Sequence, residues 1–307
     1  MKTGYFALLF IGFGIFLTSC TTTKTEFGGF DPVKRDYSYR HNLKMVKFAS
    51  LAYLEEAEVK STLEKDAKEN WNVTFLDDSE TDAQAYFFAN DIEIVIAFRG
   101  TASSSDALAD LKFWKESTPY GNIHAGFASQ YKNLMPLLND LIKPYKTKHH
   151  RIWVTGHSLG GALAAIFAVQ VPANFQAKIG GIYTYGQPEV GDQEFTEQLD
   201  ARFPDAYFRM TSERDKVSDI VPGTNNHAGI EIFYNAEGQP FCGGPKLGFW
   251  GTTKDVLSTA VRIVKGDSGH FLSVYEKLLN EPKNIKAQEN PLKVQSRCRF
   301  IVEKELA

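Results

Sequence analysis

The residues best suited to chemistry form a glycine-flanked serine turn, Gly156-His-Ser-Leu-Gly160. Apolar residues 152–154 precede it, and small and aliphatic residues 162–169 follow it. This order predicts a sharp turn from a strand into a helix, with glycines where side chains would collide and the Ser158 hydroxyl standing above the sheet. The N-terminus of the helix favours negative charge that develops beside the serine. The pattern predicts a nucleophile, although a glycine-rich turn with an exposed serine would read the same way.

A nucleophilic serine needs a base to take its proton and a carboxylate to orient that base. In this arrangement the acid and then the histidine follow the serine, on loops at the carboxyl ends of strands. Asp215 directly follows a predicted strand, Asp219 lies four residues further on, and Asp205 precedes the strand at the wrong end. We therefore expect Asp215 to be the acid, with Asp219 as the alternative.

Two histidines follow Asp215 and are candidates for the base. His227 lies just before a predicted strand, which is again the wrong end of the sheet. His270 follows the loop Gly266-Asp-Ser-Gly269 and opens a predicted helix, so it is easier to aim at the serine. We expect His270 to be the base and keep His227 as the alternative.

The negative charge of a tetrahedral intermediate requires N–H donors that already point at it. One expected donor is the backbone N–H of Leu159, the residue after the nucleophile. The other is expected from Thr101, which follows a buried strand and whose hydroxyl could also donate. No His/Asp/Glu cluster has the spacing of metal ligands, so we expect neither a metal nor a cofactor.

The elements that must position these residues alternate between strands and helices. Strands are expected at 71–76, 85–89, 92–98, 179–185, 206–211 and 229–234, and helices at 41–58, 193–199, 253–264 and 271–279. The first strands predict an antiparallel hairpin that leads into a central strand, residues 235–251 look irregular, and residues 300–302 could add an edge strand. The alternation predicts an α/β protein with a mostly parallel central sheet and helices on both faces. His149-His150 reads as a solvated turn.

The first residues predict export rather than folding. Lys2 and the apolar run at residues 5–17 indicate a signal peptide over 1–19, and Leu17-Thr-Ser-Cys20 resembles the lipobox of bacterial lipoproteins. Acylation of Cys20 would then anchor the protein in a bacterial cell envelope, at the outer membrane or the periplasmic face. An ordinary signal peptide or a retained anchor is the alternative. Residues 20–40 would be a tether and lead-in, 41–280 the catalytic domain and 281–307 a tail.

Composition and charge narrow the functional classes further. The 307 residues are 43% hydrophobic and 23% charged, which is ordinary for a globular protein. A net charge of −3 argues against a nucleic-acid partner, which would call for a basic stripe. The two remaining cysteines, Cys242 and Cys298, could pair in an oxidising compartment or stay separate thiols, and the sequence leaves both open.

Six motifs in order resemble the class 3 lipases, the fungal triacylglycerol-lipase-like family of the α/β-hydrolase fold. They are Ala97-Phe-Arg-Gly-Thr101, His124-Ala-Gly-Phe127, Gly156-His-Ser-Leu-Gly-Gly-Ala162, Tyr185-Gly-Gln-Pro188, Asp215-Lys-Val-Ser-Asp-Ile-Val-Pro222 and His270. The resemblance covers about residues 43–279 and implies a triad of Ser158, Asp215 and His270, with Thr101 and Leu159 at the oxyanion hole. It also implies a lid at residues 103–114. The alternative for that stretch is an ordinary helix packed against the core.

The resemblance implies a serine carboxylic-ester hydrolase that acts on acylglycerol lipids at a membrane or emulsion interface. Two departures concern substrate choice: Glu189 stands where many members have a basic residue, and residues 235–269 form a longer stretch than usual. The alternatives are a phospholipase or lysophospholipase, an esterase for non-lipid esters, and a catalytically silent surface lipoprotein.

Overall fold

The computed structural model of the chain describes residues 37–65, 70–100, 115–215, 217, 226–243, 272–280 and 286–287. Its strands are β1 (Asn72–Asp78), β2 (Ala83–Ala89), β3 (Glu93–Phe98), β4 (Lys115–Thr118), β5 (Gly121–His124), β6 (Arg151–His157), β7 (Ile179–Tyr185), β8 (Tyr207–Ser212), β9 (Ile230–Tyr234), β10 (Pro240–Cys242) and β11 (Lys286–Ala287). Its helices are α1 (Tyr39–Leu51), α2 (Glu56–Lys65), α3 (Ala125–Ile142), α4 (Leu159–Gln170), α5 (Ala173–Gln176), α6 (Gln193–Arg202) and α7 (Leu272–Asn280).

The described strands form one large sheet in the order β1-β2-β3-β6-β7-β8-β9-β10-β11, and β4 and β5 form a separate hairpin. Strands β3, β6, β7, β8 and β9 run parallel. Strands β1 and β2 form an antiparallel hairpin that continues into β3. The predicted α/β-hydrolase architecture, a mostly parallel sheet entered through an antiparallel hairpin, is confirmed.

Successive side chains of a strand point to opposite faces of the sheet, and here a separate core covers each face. In β6, Ile152 and Val154 belong to a core that includes α3 and α4. Trp153, between them, belongs to a second core that includes α1 and α7. Strand β6 is thus buried on both sides, as its continuous apolar run predicts.

The helix expected at 41–58 is instead two helices, α1 and α2, joined by a turn. The turn is closed by short-range backbone bonds, from Tyr53 N–H to the Ser50 carbonyl at 3.1 Å and from Leu54 N–H to the Leu51 carbonyl at 3.0 Å. The apolar pattern continues through the turn because Tyr53 and Leu54 also pack against the core. The apolar spacing of the sequence is therefore the same for one continuous helix as for two helices joined by a turn.

The stretch expected to be irregular, 235–251, contains strand β10. Asn235 N–H donates to the Gln239 carbonyl at 3.1 Å, and this turn brings the chain back beside β9. Gly238 has a φ of +72°, which a glycine adopts without strain. Cys242 at the end of β10 is buried and disulfide-bonded. Both other cysteines lie outside the described residues, so the identity of its partner stays open.

The expected solvated turn at His149-His150 is wrong for its second histidine. His150 is buried, and its Nε2 lies 2.9 Å from the Asn90 carbonyl oxygen. Its ring packs edge-on against Tyr145. Burial lowers the pKa of His150 below its ordinary value, so the neutral imidazole is favoured.

Trp153 offers a test of the second core. Its side chain is 1% exposed, and a Cβ added at Gly180 would lie 2.9 Å from the indole. Trp153→Ala should lower the free energy of unfolding by about 3–5 kcal/mol because it leaves a cavity. Ile92→Ala is the control, since Ile92 is 60% exposed and should lose less than about 1 kcal/mol. Chemical denaturation measures both, and equal losses would contradict the packing described here.

Candidate active site

Ser158 occupies the turn between β6 and α4 in a conformation that is rare for a residue with a side chain. Its φ and ψ are 57° and −127°. Such a conformation costs of order 1–3 kcal/mol and persists only where neighbouring contacts enforce it. Here Ser158 N–H donates to the Tyr185 carbonyl, and the Ser158 carbonyl accepts from Gly161 N–H, both at 2.9 Å. The serine is therefore held by the next strand and by the helix that it begins.

The two flanking glycines allow three backbone segments to meet at this turn. A Cβ on Gly156 would lie 2.2 Å from the Gly160 carbonyl oxygen. A Cβ on Gly160 would lie 2.2 Å from the Phe98 carbonyl oxygen at the end of β3. Real Cβ atoms do not approach so closely, so neither position accepts a side chain without movement of the backbone. The steric reason inferred from the motif is thus present in the structure.

Asp215 lies three residues after β8, at the same carboxyl edge of the sheet as Ser158, and it is 2% exposed. Its Oδ1 accepts a hydrogen bond from Val217 N–H at 2.9 Å. Its Oδ2 accepts one from the Tyr275 hydroxyl at 2.7 Å. A buried carboxylate needs such donors, because burial without them is costly. Asp215 is therefore a fixed, buried acid rather than a solvated loop residue.

Tyr275 is the described side chain that joins the acid to the last helix. Burial raises the pKa of Tyr275 well above its ordinary value, and the negative charge of Asp215 raises it further. The phenol consequently stays protonated and donates to the carboxylate over the neutral and alkaline range. Its ring packs edge-on against Tyr185, with the ring centroids 5.9 Å apart.

Helix α7, which carries Tyr275, is fastened to the first helix. The Tyr39 hydroxyl donates to the Leu279 carbonyl, and the Ser50 hydroxyl donates to the Glu276 carboxylate. These contacts join α1 and α7, which are more than 200 residues apart in the chain. The position of Tyr275 therefore depends on the lead-in helix as well as on its own loop.

The first helical residue of α4 is Leu159, one of the two predicted oxyanion donors. The first N–H groups of a helix have no acceptor within the helix, so this one is free to serve a ligand in principle. The second predicted donor, Thr101, lies outside the described residues. Gly100, which precedes it, lies against the turn: a Cβ there would be 3.4 Å from the Ser158 Cβ.

The rejected alternatives lie at the other edge of the sheet. Asp205 precedes β8 and His227 precedes β9, and these strands run parallel to β6 and β7. Their amino ends are therefore opposite the edge at which Ser158 and Asp215 lie. Both residues therefore lie at the edge of the sheet opposite the nucleophile.

Several predicted features lie outside the described residues. They are Cys20, Thr101, the stretch 103–114, Asp219, the stretch 253–264, His270, Cys298 and residues 300–302. The roles assigned to them stay predictions. Among the described residues, no group of three His, Cys, Asp or Glu side chains could hold a metal ion, and no helix has the length and apolar character to cross a membrane.

The Gly-Gln-Pro motif after β7 packs beside the nucleophile turn. Gln187 is buried, and its Oε1 accepts a hydrogen bond from the Tyr207 hydroxyl at 2.5 Å. A Cβ added to Gly161 would lie 3.0 Å from the Gln187 Cβ, so the two residues are in close contact. Glu189, which stands where many members of the resembled family have a basic residue, is also buried, at 6% exposure. This departure is therefore an interior residue rather than a surface change.

Two tyrosines of the site were missed by reasoning from the sequence. Tyr275 lies on the apolar face of its helix, and Tyr53 lies in a turn within the helix expected at 41–58. The Tyr53 hydroxyl is 2.8 Å from His157 Nδ1, beside the nucleophile. No local pattern distinguishes these phenols from ordinary core tyrosines, because their partners are 60 and 104 residues away in the chain.

Comparison with known proteins matches part of the chain to one family. Residues 95–225 match the family model described as lipase (class 3). The matched part includes the end of β3, the serine turn and Asp215. It ends before His270.

Curated relatives include lipases of fungi and of a nematode. The chain is 34% identical over 153 residues to a lipase of Rhizomucor miehei, covering 46% of this chain and 41% of the relative. It is 29% identical over 142 residues to a secreted mono- and diacylglycerol lipase of Malassezia globosa, covering 42% and 47%. It is 26% identical over 228 residues to the lipase ZK262.3 of Caenorhabditis elegans, covering 69% and 63%. The chain thus spans less than two thirds of the length of these relatives.

Solved structures agree on the fold. A lipase from Rhizopus microsporus var. chinensis superimposes with a TM-score of 0.52 at 26% identity, over 63% of this chain and 73% of that structure. A triacylglycerol lipase described as having a serine-protease triad at its catalytic centre gives a TM-score of 0.52 at 26% identity, over 63% and 79%. The fold is that of the α/β hydrolases.

The bond between Tyr275 and Asp215 predicts a pH-dependent contribution to stability. Tyr275→Phe should lower the free energy of unfolding by about 1–3 kcal/mol, because it leaves a buried carboxylate oxygen without its donor. The folded-state pKa of Tyr275 is raised, so its stabilisation is fully present below the unfolded value of about 10 and is lost as the pH rises through the folded value. Chemical denaturation of both proteins between pH 7 and 11 measures the difference.

Tyr39→Phe is the matched control for that experiment. It removes a phenol bond to the same helix, at the Leu279 carbonyl, without touching Asp215. If the two variants lose the same stability at every pH, helix packing rather than the carboxylate explains the loss.

Proposed function

We propose that this chain, whose residues 95–225 match the class 3 lipases, is a serine carboxylic-ester hydrolase that cleaves acylglycerol lipids through an acyl-enzyme. The observation that carries the proposal is the strained turn that holds Ser158 at the carboxyl edge of the sheet, with the buried Asp215 at the same edge. A positive φ at a serine between a buried strand and a helix is costly and has a functional explanation in nucleophilic catalysis.

In the proposed acylation step, Ser158 Oγ attacks the carbonyl carbon of the ester as His270 takes the hydroxyl proton. The carbonyl π electrons move to oxygen and form a tetrahedral oxyanion. Collapse of this intermediate breaks the bond to the glycerol oxygen, which leaves with the proton returned by the imidazolium. The product is an ester between the fatty acid and Ser158.

Deacylation follows the same sequence with water as the nucleophile. His270 takes a proton from water, the resulting attack forms a second tetrahedral oxyanion, and its collapse releases the fatty acid as the proton returns to Ser158. Asp215 orients the imidazole and stabilises its positive charge without taking the proton itself. The two donors to Asp215 favour its ionised form, which suits this role.

The assignment of His270 is supported by the position of α7. The helix begins at Leu272, and two residues of chain span about 7 Å at most. Tyr275 of the same helix donates directly to Asp215, so the helix that His270 precedes by two residues is fixed at the acid. The competing His227 precedes β9 at the amino edge of the sheet, opposite the edge that carries Ser158.

Oxyanion stabilisation is assigned to the backbone N–H of Leu159 and to Thr101. Leu159 opens α4, where N–H groups and the helix dipole favour negative charge. Thr101 directly follows Gly100, which packs against the serine turn.

Acylglycerols are the proposed substrate because the relatives named above include a mono- and diacylglycerol lipase and a triacylglycerol lipase. Export agrees with the secreted relative from Malassezia globosa. Anchoring through acylated Cys20 in a bacterial envelope rests on the lipobox-like sequence alone. That placement favours one second candidate, a phospholipase or lysophospholipase, because phospholipid would be the neighbouring ester.

Loss of the nucleophile tests the proposal directly. Ser158→Ala should lower the hydrolysis rate of a long-chain monoacylglycerol by about 10⁴-fold or more while leaving the thermal unfolding midpoint near that of the parent. A fluorophosphonate probe should label the parent protein and not the variant. Unlabelled parent protein would point to a catalytically silent lipoprotein.

The same assay separates the two candidate substrates. Faster release of fatty acid from emulsified acylglycerols than from phosphatidylcholine or lysophosphatidylcholine vesicles supports the lipase proposal. The reverse order would establish the phospholipase alternative, and hydrolysis of only short water-soluble esters would favour a non-lipid esterase.

Paired substitutions test the base and the acid. His270→Ala should lower kcat by about 10³-fold or more, because the serine proton loses its acceptor, whereas His227→Ala should change kcat less than about threefold. Asp215→Asn should likewise cost far more activity than Asp219→Asn. Steady-state kinetics on a soluble ester measures all four variants, and a reversed order within either pair would reassign that role.

A further inference from the structure

The Tyr53 hydroxyl lies beside the two backbone segments that meet at the nucleophile. Its oxygen is 2.8 Å from His157 Nδ1, on the residue immediately before Ser158. It also packs against Gly100, the residue immediately before Thr101, where an added Cβ would lie 2.3 Å from the phenol oxygen. One phenol therefore bridges the serine turn and the chain that leads into the predicted oxyanion donor.

Packing around Gly100 leaves no room for these segments to shift independently. A Cβ on Gly100 would lie 2.3 Å from the Tyr53 hydroxyl and 2.5 Å from the His157 carbonyl oxygen. The third neighbour is the Ser158 Cβ at 3.4 Å. The Gly100 backbone thus packs between the Tyr53 phenol on one side and the nucleophile turn on the other.

The Tyr53 phenol carries a proton at this contact. Burial raises the pKa of Tyr53 above its ordinary value, so the phenol keeps its proton near neutral pH. If His157 carries its proton on Nε2, the phenol donates to Nδ1, and if His157 carries it on Nδ1, the ring donates to the phenol oxygen. Either tautomer of the imidazole therefore makes the hydrogen bond to Tyr53.

Tyr53 is itself held by contacts that do not involve a substrate. The turn that carries it is closed by the bond from its N–H to the Ser50 carbonyl, and the Tyr86 hydroxyl donates to the next carbonyl, that of Leu54, at 2.9 Å. The Arg99 guanidinium carbon lies 5.9 Å from the centre of the Tyr53 ring. A group fixed in this way is suited to preorganise a neighbour rather than to follow a ligand.

We propose that Tyr53 is a positioning residue for the oxyanion hole: by bonding His157 and packing against Gly100, it holds the Gly100 backbone against the Ser158 turn. This inference rests on the proposed function, because it assigns Tyr53 to the step in which negative charge forms on the ester oxygen. Tyr53 acts through the backbone of its neighbours and does not itself contact the reacting atoms.

His157 contacts both tyrosines of the site, Tyr53 beside the oxyanion donors and Tyr275 beside the acid. Its ring packs edge-on against Tyr275 with the centroids 6.3 Å apart, and Tyr275 donates to Asp215. The imidazole therefore lies between the phenol that supports the oxyanion side and the phenol that supports the acid. Loosening the bond to Tyr53 is expected to affect the oxyanion side first, because Gly100 belongs to that side alone.

Tyr53→Phe in the full chain, assayed on a short soluble ester, tests the proposal. We expect kcat to fall by about 10-fold or more while KM changes less than about threefold, because the lost support matters only when the oxyanion forms. A reversible transition-state analogue, a boronic acid that forms a tetrahedral anion on Ser158, should bind weaker by the same factor as kcat/KM falls. Binding of the carboxylic acid product should be unchanged.

Tyr86→Phe is the matched control, because it removes a phenol bond from the same turn without touching Gly100 or His157. It should leave kcat and the affinity of the analogue within about threefold of the parent. If both variants lose activity equally, or if Tyr53→Phe raises KM and leaves kcat unchanged, the positioning role is wrong.

The labelling experiment distinguishes this failure from failure of the proposed function. If a fluorophosphonate labels Ser158 in the parent and in Tyr53→Phe at the same rate, the enzyme is a serine hydrolase and only the role of Tyr53 is overturned. If the parent is not labelled at all, the proposed function itself fails. Slower labelling of Tyr53→Phe with normal labelling of Tyr86→Phe supports the proposal.

Discussion

The active edge of this protein depends on a close backbone contact in which three chain segments meet without side chains between them. The turn after β6 presses the Gly156 backbone against Gly160, and Gly160 against the Phe98 carbonyl at the end of β3. This contact forces Ser158 into a positive φ, and it brings the end of β3 to the nucleophile. The strain at one residue is balanced by the burial of β6 on both faces and by bonds to β7.

Around this contact, the supports come from the two ends of the described chain. Tyr53 reaches the site from the turn after α1, and Tyr275 reaches it from α7. Helices α1 and α7 are bonded to each other, so the two phenols are parts of one layer on one face of the sheet. That layer supports the serine turn from one side and the acid from the other, while α4 and α3 close the opposite face.

Both phenols are polar groups in a mostly apolar layer, and each has a defined partner. Burial raises the pKa of each phenol, so each hydroxyl keeps its proton near neutral pH and remains uncharged. Asp215 is held in its ionised role by Val217 N–H and Tyr275, at a place where an unpaired carboxylate would be costly. The layer thus supplies fixed dipoles to the serine turn and to the acid, and this is the arrangement that electrostatic preorganisation requires.

The fold class, the central strands and the serine turn could be predicted from the sequence alone, because period-two burial, glycine spacing and turn residues are local signals. β7 was predicted at its observed bounds, and Asp215 was preferred over Asp205 from its place after a strand. The break between α1 and α2 was missed because the apolar pattern continues through the turn. Strand β10 was missed because its surroundings are rich in glycine and proline, and the buried His150 was missed because its partner Asn90 lies 60 residues away in the chain. Tyr53 and Tyr275 were missed for the same reason: a tyrosine becomes part of a site only when folding brings its hydroxyl to a partner many residues away, and tertiary structure alone decides that.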